Sequence, residues 1–259
     1  MYKKESFLNN YSQQNGVYIL SEVNDVFESS YLEVRKKEKR IYSDDELKTL
    51  PFATSNNPHV DEWKVRVKSF LRFKEYAKSK KDKMEILDLG CGNGWFCGQL
   101  AKTSVHNFYG VDVNLKELEQ AERIFNSDKT NFIYADIFTA QLPNSMFNII
   151  TTNAVVQYFS DLGKLIEKLF NLLVNDGEIH IIDSPFYDSN DIGSARKRSE
   201  EYYDALGFPK MSKNYFHHSF DELSAYKYDI LFDPQSTYNK LRKLFLHKDS
   251  PFPWVRIKK

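Results

Sequence analysis

Glu85-Ile86-Leu87-Asp88-Leu89-Gly90-Cys91-Gly92-Asn93-Gly94-Trp95 is a short apolar run that ends in an acid and a glycine-rich turn. Ile86, Leu87 and Leu89 suit a strand buried in a parallel sheet, and glycines at alternate positions let the chain reverse while leaving room for a ligand. The spacing narrows the ligand. A dinucleotide fingerprint, G-x-G-x-x-G, asks for glycine where Trp95 stands, whereas this turn reads G-x-G-x-G, which disfavours a pyrophosphate cofactor.

Two further apolar runs end in acids. Phe108 to Val113 places Asp112 about 20 residues beyond the glycines, where a ribose-binding carboxylate belongs, with Val113 beside it. Asn131 to Ile137 places Asp136 and Ile137 at a third strand tip, where Asp136 could accept a hydrogen bond from an adenine amino group. One strand-terminal Asp is ordinarily a cap or turn residue. Acids in register at three successive strand ends point instead to one crevice.

Asp88-Leu89-Gly90-Cys91-Gly92-Asn93-Gly94 resembles the first motif of the class I S-adenosylmethionine-dependent methyltransferases, an acid followed by G-x-G-x-G. Gln141-Leu142-Pro143 followed by Phe147 to Tyr158 is similar to that family's segment through strand four, and Leu172 to Asp183 to its helix end, turn and fifth strand. One departure is Asn148, where many members carry Asp after the Phe. The resemblance spans residues 84 to 184 and implies S-adenosyl-L-methionine as cofactor, with Asp88, Gly90, Cys91, Gly92, Asn93, Gly94, Asp112, Val113, Asp136, Ile137 and Asn153 around it. It also implies that the helix ahead of the first strand covers the cofactor. Trp63 and Arg66 are the candidates there, Arg66 for the methionine carboxylate.

The pattern from residue 84 alternates strand and helix, with strands near 84–89, 107–113, 131–136, 147–153 and 177–183 and helices near 94–103, 115–126 and 161–173. That predicts an α/β fold, a doubly wound, seven-stranded, mainly parallel sheet completed by strands near 229–233 and 252–258 and a helix near 236–246. A methyltransferase domain is expected over 81–259, with a lid insertion over 184–228 that carries a helix near 191–206. Residues 1–80 read as a helical extension or cap. Within it, 1–60 do not look like core, and Glu33 to Arg40 reads as a solvated helix with no function assigned.

At 259 residues and 41% hydrophobic content the chain can build a sizeable core. Lys plus Arg and Asp plus Glu both number 36, so no global field draws it to nucleic acid or an anionic membrane. Cys91 and Cys97 are too close in sequence for a disulfide framework, and no run approaches a signal peptide or a membrane span. A reduced, cytoplasmic monomer or homodimer acting on a small molecule is expected.

Methyl transfer from a sulfonium is an in-line displacement, so the protein must hold the acceptor and exclude water. A hydroxyl acceptor also needs a base, for which His217 and His218 are the catalytic candidates. No metal-ligating spacing surrounds them, so no metal is expected, and His180 reads as a packed core residue. Gln157, Tyr158 and Tyr187 follow strands four and five and are candidates for the acceptor pocket. The expected function is methyl transfer to a small-molecule hydroxyl or amine, such as a sugar or natural product. A nucleic-acid methyltransferase is the first rival, disfavoured because Thr152-Asn153-Ala154-Val155 replaces the Asp/Asn/Ser-Pro-Pro-Tyr/Phe signature. A non-catalytic protein that keeps the cofactor fold, or a nicotinamide oxidoreductase, is the second.

Overall fold

The structure is a computed structural model that describes residues 7–23, 25–244 and 249–259. Residues 1–6 of the expected N-terminal extension, and positions 245–246 of the helix expected over 236–246, lie outside the described residues. From the N-terminus, the short strands β1 (Gln13–Gln14) and β2 (Val17–Ile19) precede helices α1 (Asp25–Lys37), α2 (Asp44–Thr49) and α3 (Val60–Ser79). The alternating part follows as β3 (Glu85–Leu89), α4 (Trp95–Ala101), β4 (Asn107–Asp112), α5 (Leu115–Phe125), β5 (Thr130–Tyr134), β6 (Phe147–Asn153), α6 (Leu162–Leu172) and β7 (Leu173–Ile182). Then come β8 (Phe186–Tyr187), α7 (Ile192–Leu206), β9 (His218–Ser219), β10 (Tyr228–Phe232), α8 (Thr237–Leu244) and β11 (Trp254–Lys258).

The main sheet has nine strands in the order β1-β2-β5-β4-β3-β6-β7-β11-β10. Strands β2, β5, β4, β3, β6 and β7 pair in parallel, and β11 runs antiparallel between β7 and β10. The expected seven strands are therefore all present, but the count is corrected by β1 and β2. Val17-Tyr18-Ile19 was too short, amid polar neighbours, to register as a strand, yet it adds to the edge of β5. The expectation that residues 1–60 do not look like core is also corrected: Leu8, Val17, Leu47 and Leu50 are all fully buried.

Local chemistry fixes the helix starts. The side chains of Asn114 and Asp161 accept from the N–H groups of Glu117 and Lys164, capping α5 and α6. Asn148 accepts from the Glu85 N–H at 2.9 Å, a strand-to-strand tie that fits a structural place for this departure from the family pattern. The sheet separates two apolar layers. On one side α3, α4 and α5 pack Trp63, Phe70, Phe73, Phe96 and Leu118 against Ile86 and Phe108; on the other, α6 packs Leu162, Leu165, Ile166 and Leu169 against Leu87, Ile150 and Ile179. Burial of each such side chain contributes about 1.5–3 kcal/mol. No helix among the described residues is long and apolar enough to cross a membrane.

Candidate functional site

A crevice opens at the C-terminal edge of the parallel strands, where ligands bind in open α/β sheets. Its volume is about 750 Å³, within the range of small-molecule sites. Gly90, Cys91, Gly92, Asn93, Asp112, Val113, Asp136, Ile137, Asn153, Trp63, Arg66, Gln157, Tyr158 and Tyr187 all line it. Asp88, Gly94, His217 and His218 do not.

The strand pleat explains Asp88. Alternate residues of a strand face opposite sides, so Asp88 shares the face of Ile86 and points into the α4 layer beneath the loop. It is 2% exposed, and Thr151 Oγ1 donates to it at 2.8 Å. Burial pushes its carboxyl up to about 7 despite that bond. Gly94 has a related reason to be glycine. It caps α4 at φ +70°, and a Cβ there would come within 2.6 Å of the Phe132 ring and 2.7 Å of Ala121. Gly92 is different: a Cβ would meet only Glu117, at 3.2 Å, so its missing side chain is space within the crevice.

Asp112 stands at the tip of β4 with its carboxylate fastened to backbone. Oδ2 accepts from the Gly92 N–H at 2.7 Å, and Oδ1 accepts from Val113 and Asn114 at 2.8 and 2.9 Å. Burial nonetheless holds its pKa above the ordinary carboxylate range, and the three N–H groups pull the other way. Glu117, one turn into α5, lies close by, and burial pushes it up to about 7 against the charge of Arg35. At the third tip, Asp136 accepts from the Phe138 N–H at 2.9 Å. Together these tips, Gly92 and Ile137 form a cradle lined with hydrogen-bond acceptors.

Two other walls complete that end. On α3, Trp63 donates to Tyr42 at 3.1 Å, and Arg66 lies 5.4 Å over the Trp63 ring and donates from Nε to Glu62 at 2.9 Å. Burial opposes the Glu62 charge, yet hydrogen bonds and charges from Arg40 and Arg66 hold its carboxyl at about 2. At the tip of β6, Asn153 has both side-chain polar atoms buried with no partner among the described residues, and Gln157 Oε1 is in the same state. Unpaired buried amides are uncommon and point to a missing partner.

Beyond Asn153 the crevice continues into a lobe walled by tyrosines. Tyr31 meets Tyr158 edge-on at 6.5 Å, Tyr158 meets Tyr215 at 6.0 Å, and Tyr215 meets Tyr203 at 6.2 Å. Tyr187 also lines the crevice and packs 5.5 Å from the ring of His217. His217 sits behind this wall, bonded to Ser199 Oγ at 2.9 Å, and burial with Arg196 lowers its pKa. His218 is 3% exposed, and its ring contacts Glu222 and the carbonyls of Val156 and Phe159 at 3.0–3.1 Å. The expected lid segment supplies much of the wall. Ala195, Ser199, Tyr203 and Tyr215 come from α7 and the turn after it, pinned by β8 and β9, a parallel two-stranded sheet.

The run expected to be a solvated helix with no function is corrected. Tyr31, Arg35 and Glu38 all face the crevice from α1 and its end, and Arg40 joins them. Their spacing of four and three residues was a readable helical stripe, masked by the high charge of the surrounding run.

A family model described as a methyltransferase domain matches residues 80–224. An uncharacterized methyltransferase of Mycobacterium bovis is 29% identical over 97 residues, 38% of this chain and 49% of that protein. A malonyl-[acyl-carrier protein] O-methyltransferase of Acetivibrio thermocellus is 33% identical over 98 residues, 38% of this chain and 34% of that protein. Thus the chain spans half or less of the length of these relatives. The crystal structure of the YcgJ protein of Bacillus subtilis shares the fold, with a TM-score of 0.53 at 14% identity over 74% of this chain and 98% of that one.

Proposed function

Since the chain belongs to the S-adenosylmethionine-dependent methyltransferase family, we propose that it binds S-adenosylmethionine in the glycine-loop cradle and methylates a small molecule held in the tyrosine lobe. The observation that carries this reading is the continuity of the two: the cradle of Gly92, Asp112 and Asp136 and the lobe of Tyr158, Tyr203 and Tyr215 are one crevice, with Asn153 between them. Two ligands meeting at Asn153 is what a transfer reaction requires.

The residues present suit the cofactor. Asp112 and Glu117 face the ribose position, Asp136 and Ile137 the adenine, and Arg66 has guanidinium N–H groups left beyond its bond to Glu62 for a carboxylate. When bound, the cofactor supplies an electrophilic methyl group. The chain's own part is to orient and to dry the site: α1 and α7 roof the crevice with aromatic rings, and the unpaired Asn153 amide is set to bond whatever lies at the junction. The division into a cap over 1–80 and a domain over 81–259 with a roofing insertion belongs to this proposal. So does the choice of a small molecule over nucleic acid, which an acceptor lobe closed in by two segments favours. The O-methyltransferase relative acts, by its name, at oxygen, which suits an oxygen acceptor here as well.

Calorimetry with S-adenosylhomocysteine, S-adenosylmethionine and NAD tests the reading. Saturable binding of the first two and none of NAD is expected, followed by consumption of S-adenosylmethionine with a methyl acceptor. NAD binding in their place would overturn it.

A further inference from the structure

Resting on the methyl-transfer reading, the acceptor lobe itself says which nucleophile it can serve. An alcohol or an ammonium must lose a proton to attack, whereas a carboxylate is already an oxygen nucleophile at neutral pH. Among the described residues lining the crevice there is no histidine and no lysine. The carboxylates on the acceptor side are already engaged. Glu38 holds Tyr202 at 2.7 Å and Arg40 at 3.5 Å, and Glu62 holds Arg40 and Arg66. Glu28 and Glu117 lie on the cofactor side, Glu28 accepting from the Lys116 N–H and Glu117 from the Asn114 side chain.

What the lobe leaves over is hydrogen-bond donors. The hydroxyls of Tyr158, Tyr187, Tyr203 and Tyr215 have no hydrogen-bond partner among the described residues, although all four side chains line the crevice. Burial raises their pKa values, so they stay protonated and donate. Arg35 stands beside Tyr158 and Tyr31, and its charge also acts on Glu117; among the described residues its one ion pair is Nη1 to Glu38 at 3.5 Å, and its Nε has no partner. Tyr158 stands between Arg35 and Tyr215, whose ring is 6.0 Å from its own; a guanidinium near such phenol donors can bind a carboxylate, and rings on several sides suit an aryl or apolar body.

We propose that the acceptor is a carboxylic acid with an apolar or aromatic body, bound as its carboxylate by Arg35 and the hydroxyls of Tyr158 and Tyr215, and that the product is a methyl ester. The carboxylate oxygen forms the new bond to the methyl carbon as the bond from that carbon to sulfur breaks. The bonding pair remains on sulfur and no proton changes hands, so a site without a free base is sufficient.

The test is equilibrium binding of phenylacetate, benzylamine and benzyl alcohol to the full chain saturated with S-adenosylhomocysteine, followed by alkaline treatment of products made with methyl-labelled cofactor. Phenylacetate is expected to bind in preference to the other two, and aryl carboxylates to give labelled methanol on alkaline hydrolysis. Tyr215→Phe, which keeps the ring, should weaken phenylacetate about tenfold and leave benzyl alcohol and S-adenosylhomocysteine unchanged. Arg35→Gln should lower the ratio of phenylacetate to benzyl alcohol affinity by at least as much. Tighter binding of the amine or alcohol, no saturable binding of phenylacetate, alkali-stable label, or equal losses for both ligands in Tyr215→Phe would overturn the carboxylate assignment. Failure of the methyl-transfer reading shows separately, as no binding of S-adenosylhomocysteine.

Discussion

The N–H of Gly92 donates to Asp112 Oδ2 at 2.7 Å and thereby ties the glycine turn after β3 to the tip of β4. One carboxylate both shapes the loop and faces the cradle. Two of its acceptor positions on Oδ1 go to Val113 and Asn114, which leaves Oδ2 with capacity for a ligand hydroxyl.

Asp112→Ala should therefore weaken S-adenosylhomocysteine binding by about 2–4 kcal/mol, through the lost ligand bond and three freed N–H groups. Calorimetry measures this. Unchanged affinity would refute the ribose assignment.

The loop glycines should separate by phenotype. Gly94→Ala forces a Cβ against Phe132 and Ala121 at φ +70° and should cost about 2–5 kcal/mol of stability. Gly92→Ala has φ +52° and one side-chain neighbour, so about 1–2 kcal/mol is expected, with cofactor affinity falling more than stability. Denaturant titration beside calorimetry decides, and equal stability losses would sink the distinction.

Asp88 makes stability depend on pH in an identifiable direction. Its folded carboxyl is pushed up to about 7, above the ordinary range, so the folded chain keeps a proton the unfolded chain has released. Its contribution is greatest in acid and fades as pH rises toward 7. Asp88→Asn should gain about 1–3 kcal/mol at pH 8 and flatten that part of the profile. A variant that loses stability at pH 8 would contradict this account.

His180 acts in the opposite sense. Trp254 Nε1 donates to its Nδ1 at 3.0 Å, and burial lowers its pKa, so it stays neutral with Nε2 toward Glu178 at 3.3 Å. As pH falls through the ordinary histidine range, the unfolded chain takes up a proton the folded chain refuses, and stability drops. Trp254→Phe should cost about 1–3 kcal/mol by leaving Nδ1 unpaired. Titration of the ring by NMR should show a pKa raised relative to the parent chain.

The parallel sheet and the crevice at its strand tips were legible because they depend on local grammar: apolar runs, acids at strand tips and alternating glycines. Asp88 was misplaced in the crevice because motif reading ignores the pleat, which sends it toward Ile86's side. Tyr31, Arg35, Tyr203 and Tyr215 were not legible as a group, since they come from segments distant in sequence and meet only once α1 and α7 fold over the strand ends. His217 and His218 stood out by composition, but only the wall of Tyr187 and Tyr215 shows on which side of it they lie.

The pairing of Tyr18 and Ile19 with Ile133 and Tyr134 leaves β5, the strand that carries Asp136 beyond its tip, no longer the sheet's rim. A chain shortened past Ile19 would bare a flat row of unpaired backbone groups beside Phe132, Ile133 and Tyr134, all buried in the intact molecule. Such a truncation should oligomerise edge to edge while its glycine turn stays intact, making β1 and β2 guardians of solubility.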